Sequence, residues 1–145
     1  MLTHDQTIYT ILRLYPQAEH GRDFWVAHPL GPDGKQAGTA RIVAWHLPAK
    51  PPTLKGIQAA WAKYQQDFER DQVAAQIRAQ RAQHLLEADQ LINKARDAGD
   101  AGLEAAASRY RQALRDLTAQ EGFPFEVVWP RAPGVEITIG GATSR

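Results

Sequence analysis

The chain has 145 residues, with 17 basic and 16 acidic side chains and a formal net charge of +1, a balance that excludes strong general attraction to nucleic acid or anionic lipid. It contains no cysteine, which removes disulfides, thiol nucleophiles and thiolate-held metals from consideration. A domain of this length can bury about 70% of its unfolded surface, but much of the 43% hydrophobic content is alanine, so the core is expected to be small.

In THDQTIYTILRLYP, residues 3–16, Ile8, Ile11, Leu12 and Tyr15 share one helical face. Thr3 or Asp5 can cap the start and Pro16 closes the end, which predicts a short amphipathic helix. DFWVAH and ARIVAWHL are β-rich runs separated by PLGPDGKQAG, whose Pro32, Asp33 and Gly34 supply a turn, and they predict a hairpin. Phe24 or Trp25, with Ile42, Val43 and Trp45, is expected to offer one sheet face to the helix.

LPAKPPT, residues 47–53, reads as a stiff extended connector, and Thr53 as the N-cap of the next helix. From 54 to about 98 there is no proline, and Ile57, Trp61, Tyr64 and Phe68 repeat at helical spacing, which predicts one long helix or two nearly continuous ones. Its middle, ERDQVAAQIRAQRAQH at 69–84, has only Val73 and Ile77 as sizeable apolar residues and is expected to be a solvated span or a thin coiled-coil seam. DAGDAG at 97–102 breaks the helix. A second helix carrying Leu103, Ala107, Tyr110, Leu114 and Leu117 should fold back as an antiparallel hairpin. FPFEVVWP and VEITIG then predict a closing strand pair or an extended tail.

The expected fold is α+β: a small N-terminal helix and β-hairpin module, a long central α-helix, a helical hairpin and a short C-terminal β or extended tail. It divides into a small α/β module at 1–50, a connector and long helix at 51–98, and the second helix with an aromatic tail at 99–145. No stretch approaches the roughly 18 apolar residues of a membrane span, and the start has no apolar run of signal-peptide length, so no membrane association is expected.

The chain shows no enzyme signature. None of the five histidines stands in an HxxxH or HExxH spacing, and they are expected at the surface or at strand edges, with no metal bound. Ser108 and Ser144 lack a nucleophile context, and neither GGATSR nor the PDG turn has the lysine and following helix of a phosphate-cradling loop. No catalytic residue and no cofactor are expected. The arginines of RAQRAQ and RYRQALR are interspersed with acids and alanines and read as a solvated helix face, with no nucleic-acid partner.

LLEADQLINKARDAGD followed by YRQALRDLTAQEGFPFEVVWP resembles the C-terminal region of bacteriophage tail-fibre assembly proteins and related tail assembly chaperones. The residues that carry the resemblance are Leu85, Leu86, Asp89, Asp97, Tyr110, Arg111, Ala113, Leu114, Arg115, Asp116, Phe123, Pro124, Trp129 and Pro130. Gln90 and Ala107 depart from it, standing where the family usually has tryptophan. The N-terminal half, with IYTILRLYP, DFWV, VAWHLP and PPTLKGIQAAW, looks like small proteins encoded among phage tail genes.

The resemblance implies a non-enzymatic chaperone, acting in the host cytoplasm, that binds a tail-fibre or other tail protein. Its alternative is a permanent part of the virion tail whose long helix forms a bundle. Tyr110, Leu114, Phe123, Phe125, Val127 and Trp129 are the expected partner contacts, and they equally suit the core of the hairpin itself. Pairing through Ile57, Tyr64, Leu85 and Ile92 would give a homo-oligomer, a dimer or trimer.

Overall fold

The computed structural model describes residues 1–134. The chain folds as two compact units, Met1–Asp71 and Gln72–Arg145. In chain order come α1 (His4–Leu14), β1 (Phe24–Ala27), β2 (Arg41–Trp45), α2 (Leu54–Asp97) and α3 (Ala101–Asp116), then a single 3-10 turn at Leu117–Ala119. The architecture is α+β and mostly helical, and the long helix is one uninterrupted element whose residues are shared between the units.

α1 begins where its cap chemistry dictates. The Thr3 hydroxyl accepts from the Gln6 amide at 3.2 Å and the Gln6 side chain accepts from the Thr3 amide at 2.9 Å, a reciprocal box that satisfies two donors otherwise left open. Thr7 and Thr10 are buried polar residues, and each donates its hydroxyl to a carbonyl one turn back, Thr3 O at 2.8 Å and Gln6 O at 2.7 Å. Ile11 packs with Leu2, Phe24, Val26, Ala40 and Ile57 into the N-terminal core, with Ile42, Trp45 and Trp61 around it.

The two strands pair antiparallel, Phe24 with Trp45, Trp25 with Ala44, Val26 with Ile42 and Ala27 with Arg41. The register slips between Trp25 and Val26, so Val43 faces no partner. This corrects the expected sheet face. Period-two alternation groups Val43 with Trp45, but the extra residue hands that inward place to Ile42, and Val43 is left 59% exposed. Trp25 is likewise exposed, while Phe24 is fully buried.

The loop between the strands is tied to the start of α1 by one side chain. Gln36 donates to Leu2 O at 2.8 Å and Gly38 O at 2.7 Å and accepts from the His4 amide at 3.0 Å. Gln36→Ala is expected to cost about 1–3 kcal/mol, because it leaves part-buried backbone groups without partners. A chemical-denaturation curve of the N-terminal transition measures it.

Three of the histidines expected at the surface or at strand edges, His4, His20 and His28, form a half-buried group. His4 meets His20 and His28 edge to face, with ring centroids 5.7 and 5.3 Å apart, and His20 meets Phe24 at 5.3 Å. His4 Nδ1, His20 Nε2 and His28 Nδ1 are buried without hydrogen-bond partners. The packing is edge-on-face, the arrangement in which a ring N–H can lie against a neighbouring π face. Among the described residues no group of three or more His, Asp or Glu side chains is arranged to hold a metal ion.

In the C-terminal unit α2 stops at the predicted break. Gly99 has φ +66°, a left-handed position that glycine takes without a Cβ penalty, and the amides of Gly99 and Asp100 return to Arg96 O and Ala95 O. Asp100 then caps α3, its carboxylate accepting from the Leu103 amide at 2.9 Å. Arg111 reaches across to Asp89 at 2.9 Å, and Ala88, Tyr110 and Leu114 form the core.

Of the two expectations for FPFEVVWP, a closing strand pair or an extended tail, the strand does not form at 123–130. Residues 121–126 are turns, and 127–132 run without regular structure. The VEITIG segment lies outside the described residues.

Candidate partner-binding surface

The tail folds over the helical hairpin of its own unit, and three local devices hold it there. The Gln120 side chain acts like a paired strand residue, donating to Val128 O at 2.9 Å and accepting from the Val128 amide at 2.8 Å. The Glu126 amide returns to Gly122 O at 2.7 Å and closes the turn. Trp129 packs on the Ala88, Tyr110 and Leu114 cluster and meets His84 edge to face, with centroids 5.3 Å apart.

The turn depends on Gly122. A Cβ at this position would run into the Glu126 carbonyl. Gly122→Ala is therefore expected to displace the turn at a cost of about 1–3 kcal/mol. The readout is a lowered melting temperature with a changed Trp129 emission spectrum.

From Gln72 onward the polar stretch at 69–84 acquires cover from its own unit. The Arg78 guanidinium lies over the Phe123 ring, 5.3 Å from its centroid. Arg81 donates to the Arg115 carbonyl at 3.4 Å and the Thr118 hydroxyl at 3.3 Å, near the carbonyl end of α3 where a cation is favoured. Ala74 is buried as well. The second half of this stretch is therefore a packed helix face rather than only a solvated span, with arginine stems doing the covering that large aliphatic side chains would otherwise do.

The six residues expected to touch a partner separate into three environments. Leu114 is fully buried and Tyr110 nearly so; burial, with the Glu87 charge second, raises the pKa of the tyrosine hydroxyl above its ordinary value. Phe123, Val127 and Trp129 are half-buried. Phe125 is 64% exposed. The structure adds Val128, 78% exposed, and the motif residue Leu86, 60% exposed, neither of them among the expected partner contacts. The adjacent Val127 and Val128 are chemically identical, and it is Val128, whose backbone Gln120 clamps, that stands exposed.

Comparison with known families bears on both units. Residues 7–69 match the family model described as XkdW protein, a phage tail-gene family, and residues 74–134 match that of the phage tail assembly chaperone protein. Residues 74–134 are thus similar to the phage tail assembly chaperone family. That similarity supports a role in phage tail assembly and implies interaction with phage tail proteins. The matched span includes the Leu85-to-Pro130 motif residues, the Asp89–Arg111 pair, the Tyr110 and Leu114 core and the clamped tail. No curated protein and no solved structure matches the chain. No helix among the described residues is long and apolar enough to cross a membrane.

Proposed function

We propose that the protein is a non-enzymatic assembly chaperone that holds a tail-fibre component through the outward side chains of its folded-back tail, in the host cytoplasm before the tail is complete. The observation that carries this reading is that the chaperone region fixes its tail from the inside, through Gln120, Gly122 and Trp129, while Phe125 and Val128 stand outward. Two large apolar side chains on a locked backbone lose little conformational entropy on binding, the property that makes a rigid aromatic anchor effective. Phe123, Val127 and Trp129 position the anchors, and Tyr110 and Leu114 support them from below. Among the residues proposed for self-pairing, Ile57 and Ile92 are already buried, which favours partner binding by a monomer over a helical dimer or trimer.

The test combines co-expression with the fibre protein and mass spectrometry of purified particles. A soluble complex with the fibre, and absence of the chain from finished particles, is the expected result. Presence at fixed copy number in particles would instead make the chain a permanent tail component.

A further inference from the structure

The N-terminal unit holds a shallow apolar cavity of about 250 Å³, lined by Arg41, Ile42, Pro51, Pro52, Leu54 and Ile57. Its floor is preformed: Ile57 is buried in the N-terminal core and Ile42 packs against that core. The two prolines have no amide hydrogen and a fixed φ, so their wall is stiff and offers no donor. Thr53 caps α2 beside them, accepting from the Gly56 amide at 3.1 Å. β2, which supplies Arg41 and Ile42, pairs with β1 on one side and with no other strand among the described residues.

The one charged residue of the lining is basic. Arg41 lines the cavity, and Lys50 and Lys55 flank its prolines and Leu54 in sequence. The first turn of α2 has no acidic residue. Ion pairs among the described residues use Arg13, Arg22, Arg70, His84, Arg96 and Arg111, and none involves Arg41, Lys50 or Lys55. An apolar hole with an unpaired arginine in its lining, and unpaired lysines next to that lining in sequence, is complementary to an apolar side chain flanked by carboxylates.

We infer that this cavity is a second docking site, which takes an extended segment of a tail protein in which an apolar side chain is flanked by acidic residues. The apolar side chain enters between Ile42 and Pro52, and a carboxylate meets Arg41. The identity of the partner as a tail protein rests on the function proposed above; the chemistry of the segment rests on the cavity alone.

The experiment uses the full chain and labelled peptides of about twelve residues, enough for one added strand with its flanks, tiled along the tail proteins of the same phage and read by fluorescence anisotropy. Acidic peptides with an apolar centre are expected to bind, more weakly as salt shortens the range of the basic charges. Arg41→Glu and Leu54→Asp, both at exposed positions, should each weaken binding about tenfold or more, with the melting temperature unchanged and with Phe125→Asp having no effect on the peptides. Absence of any bound peptide, or binding indifferent to both cavity variants, overturns the inference. So does displacement of the peptides by decanoate at equal concentration, or self-association of the chain that Arg41→Glu abolishes, since each names another occupant. Loss of whole-fibre capture in Phe125→Asp with no peptide bound would sink the cavity and leave the proposed function standing; normal capture in Phe125→Asp with peptides bound at the cavity would do the reverse.

Discussion

Leu114→Ala is expected to destabilise the C-terminal unit by about 2–5 kcal/mol, the range for removing a fully buried leucine from a core that cannot collapse around the gap. The side chain has no exposed surface and is shared by α2, through Ala88, and by the tail, through Trp129. Its cluster neighbour on α2, Ala88, is fully buried and carries only a methyl group with which to fill the space. A small domain has about 5–15 kcal/mol of net stability, so the loss removes a large share of it. Urea denaturation followed by Trp129 fluorescence should show a lowered midpoint. Fibre capture should fall at growth temperature in proportion to the unfolded fraction and return when the assay is cooled. A variant of unchanged midpoint that still fails to capture fibre would make Leu114 a contact residue instead.

That distinction explains how far the sequence could be read. Local chemistry was legible where one short segment settles its own geometry. Thr3, one of the two expected caps, starts α1 with Gln6 closing the box, and the break expected in DAGDAG falls at Gly99, where Asp100 caps α3. The motif residues Asp89 and Arg111, 22 positions apart, are a pair between the hairpin helices. Features set by counting or by distant partners were not legible. The bulge opposite Val26 moves Ile42 inward and Val43 outward, and nothing in the composition of ARIVAWHL marks which residue is extra. FPFEVVWP has the alternation of a strand, but a strand needs a neighbour to take its backbone groups. In the described tail those groups go instead to Gln120 and to the Gly122 turn.

The partner surface shows the same limit. Tyr110, Leu114, Phe125 and Trp129 are all large and apolar, and periodicity cannot tell a residue that packs inward from one that presents itself to another protein. Exposure separates them: one member of the expected set, Phe125, stands mostly in solvent, beside the unexpected Val128.

Phe125→Asp combined with Val128→Asp should therefore give the converse of the Leu114 result. Both side chains are mostly in solvent, so the cost to folding should stay within about 0.5 kcal/mol. The backbone of residue 128, not its side chain, makes the two bonds to Gln120, so the tail should keep its path. Binding should suffer heavily. An aromatic anchor at the centre of an interface commonly contributes about 2 kcal/mol or more, roughly thirtyfold in affinity, and a buried carboxylate in its place adds a desolvation penalty. Titration calorimetry of the full chain against its co-expressed fibre partner should lose its signal, while the melting curve overlays that of the native protein. If the double variant bound fibre normally, the outward face of the tail would not be the gripping surface, and the half-buried Phe123, Val127 and Trp129 would have to open to do the work, which Gly122→Ala would then enhance rather than impair.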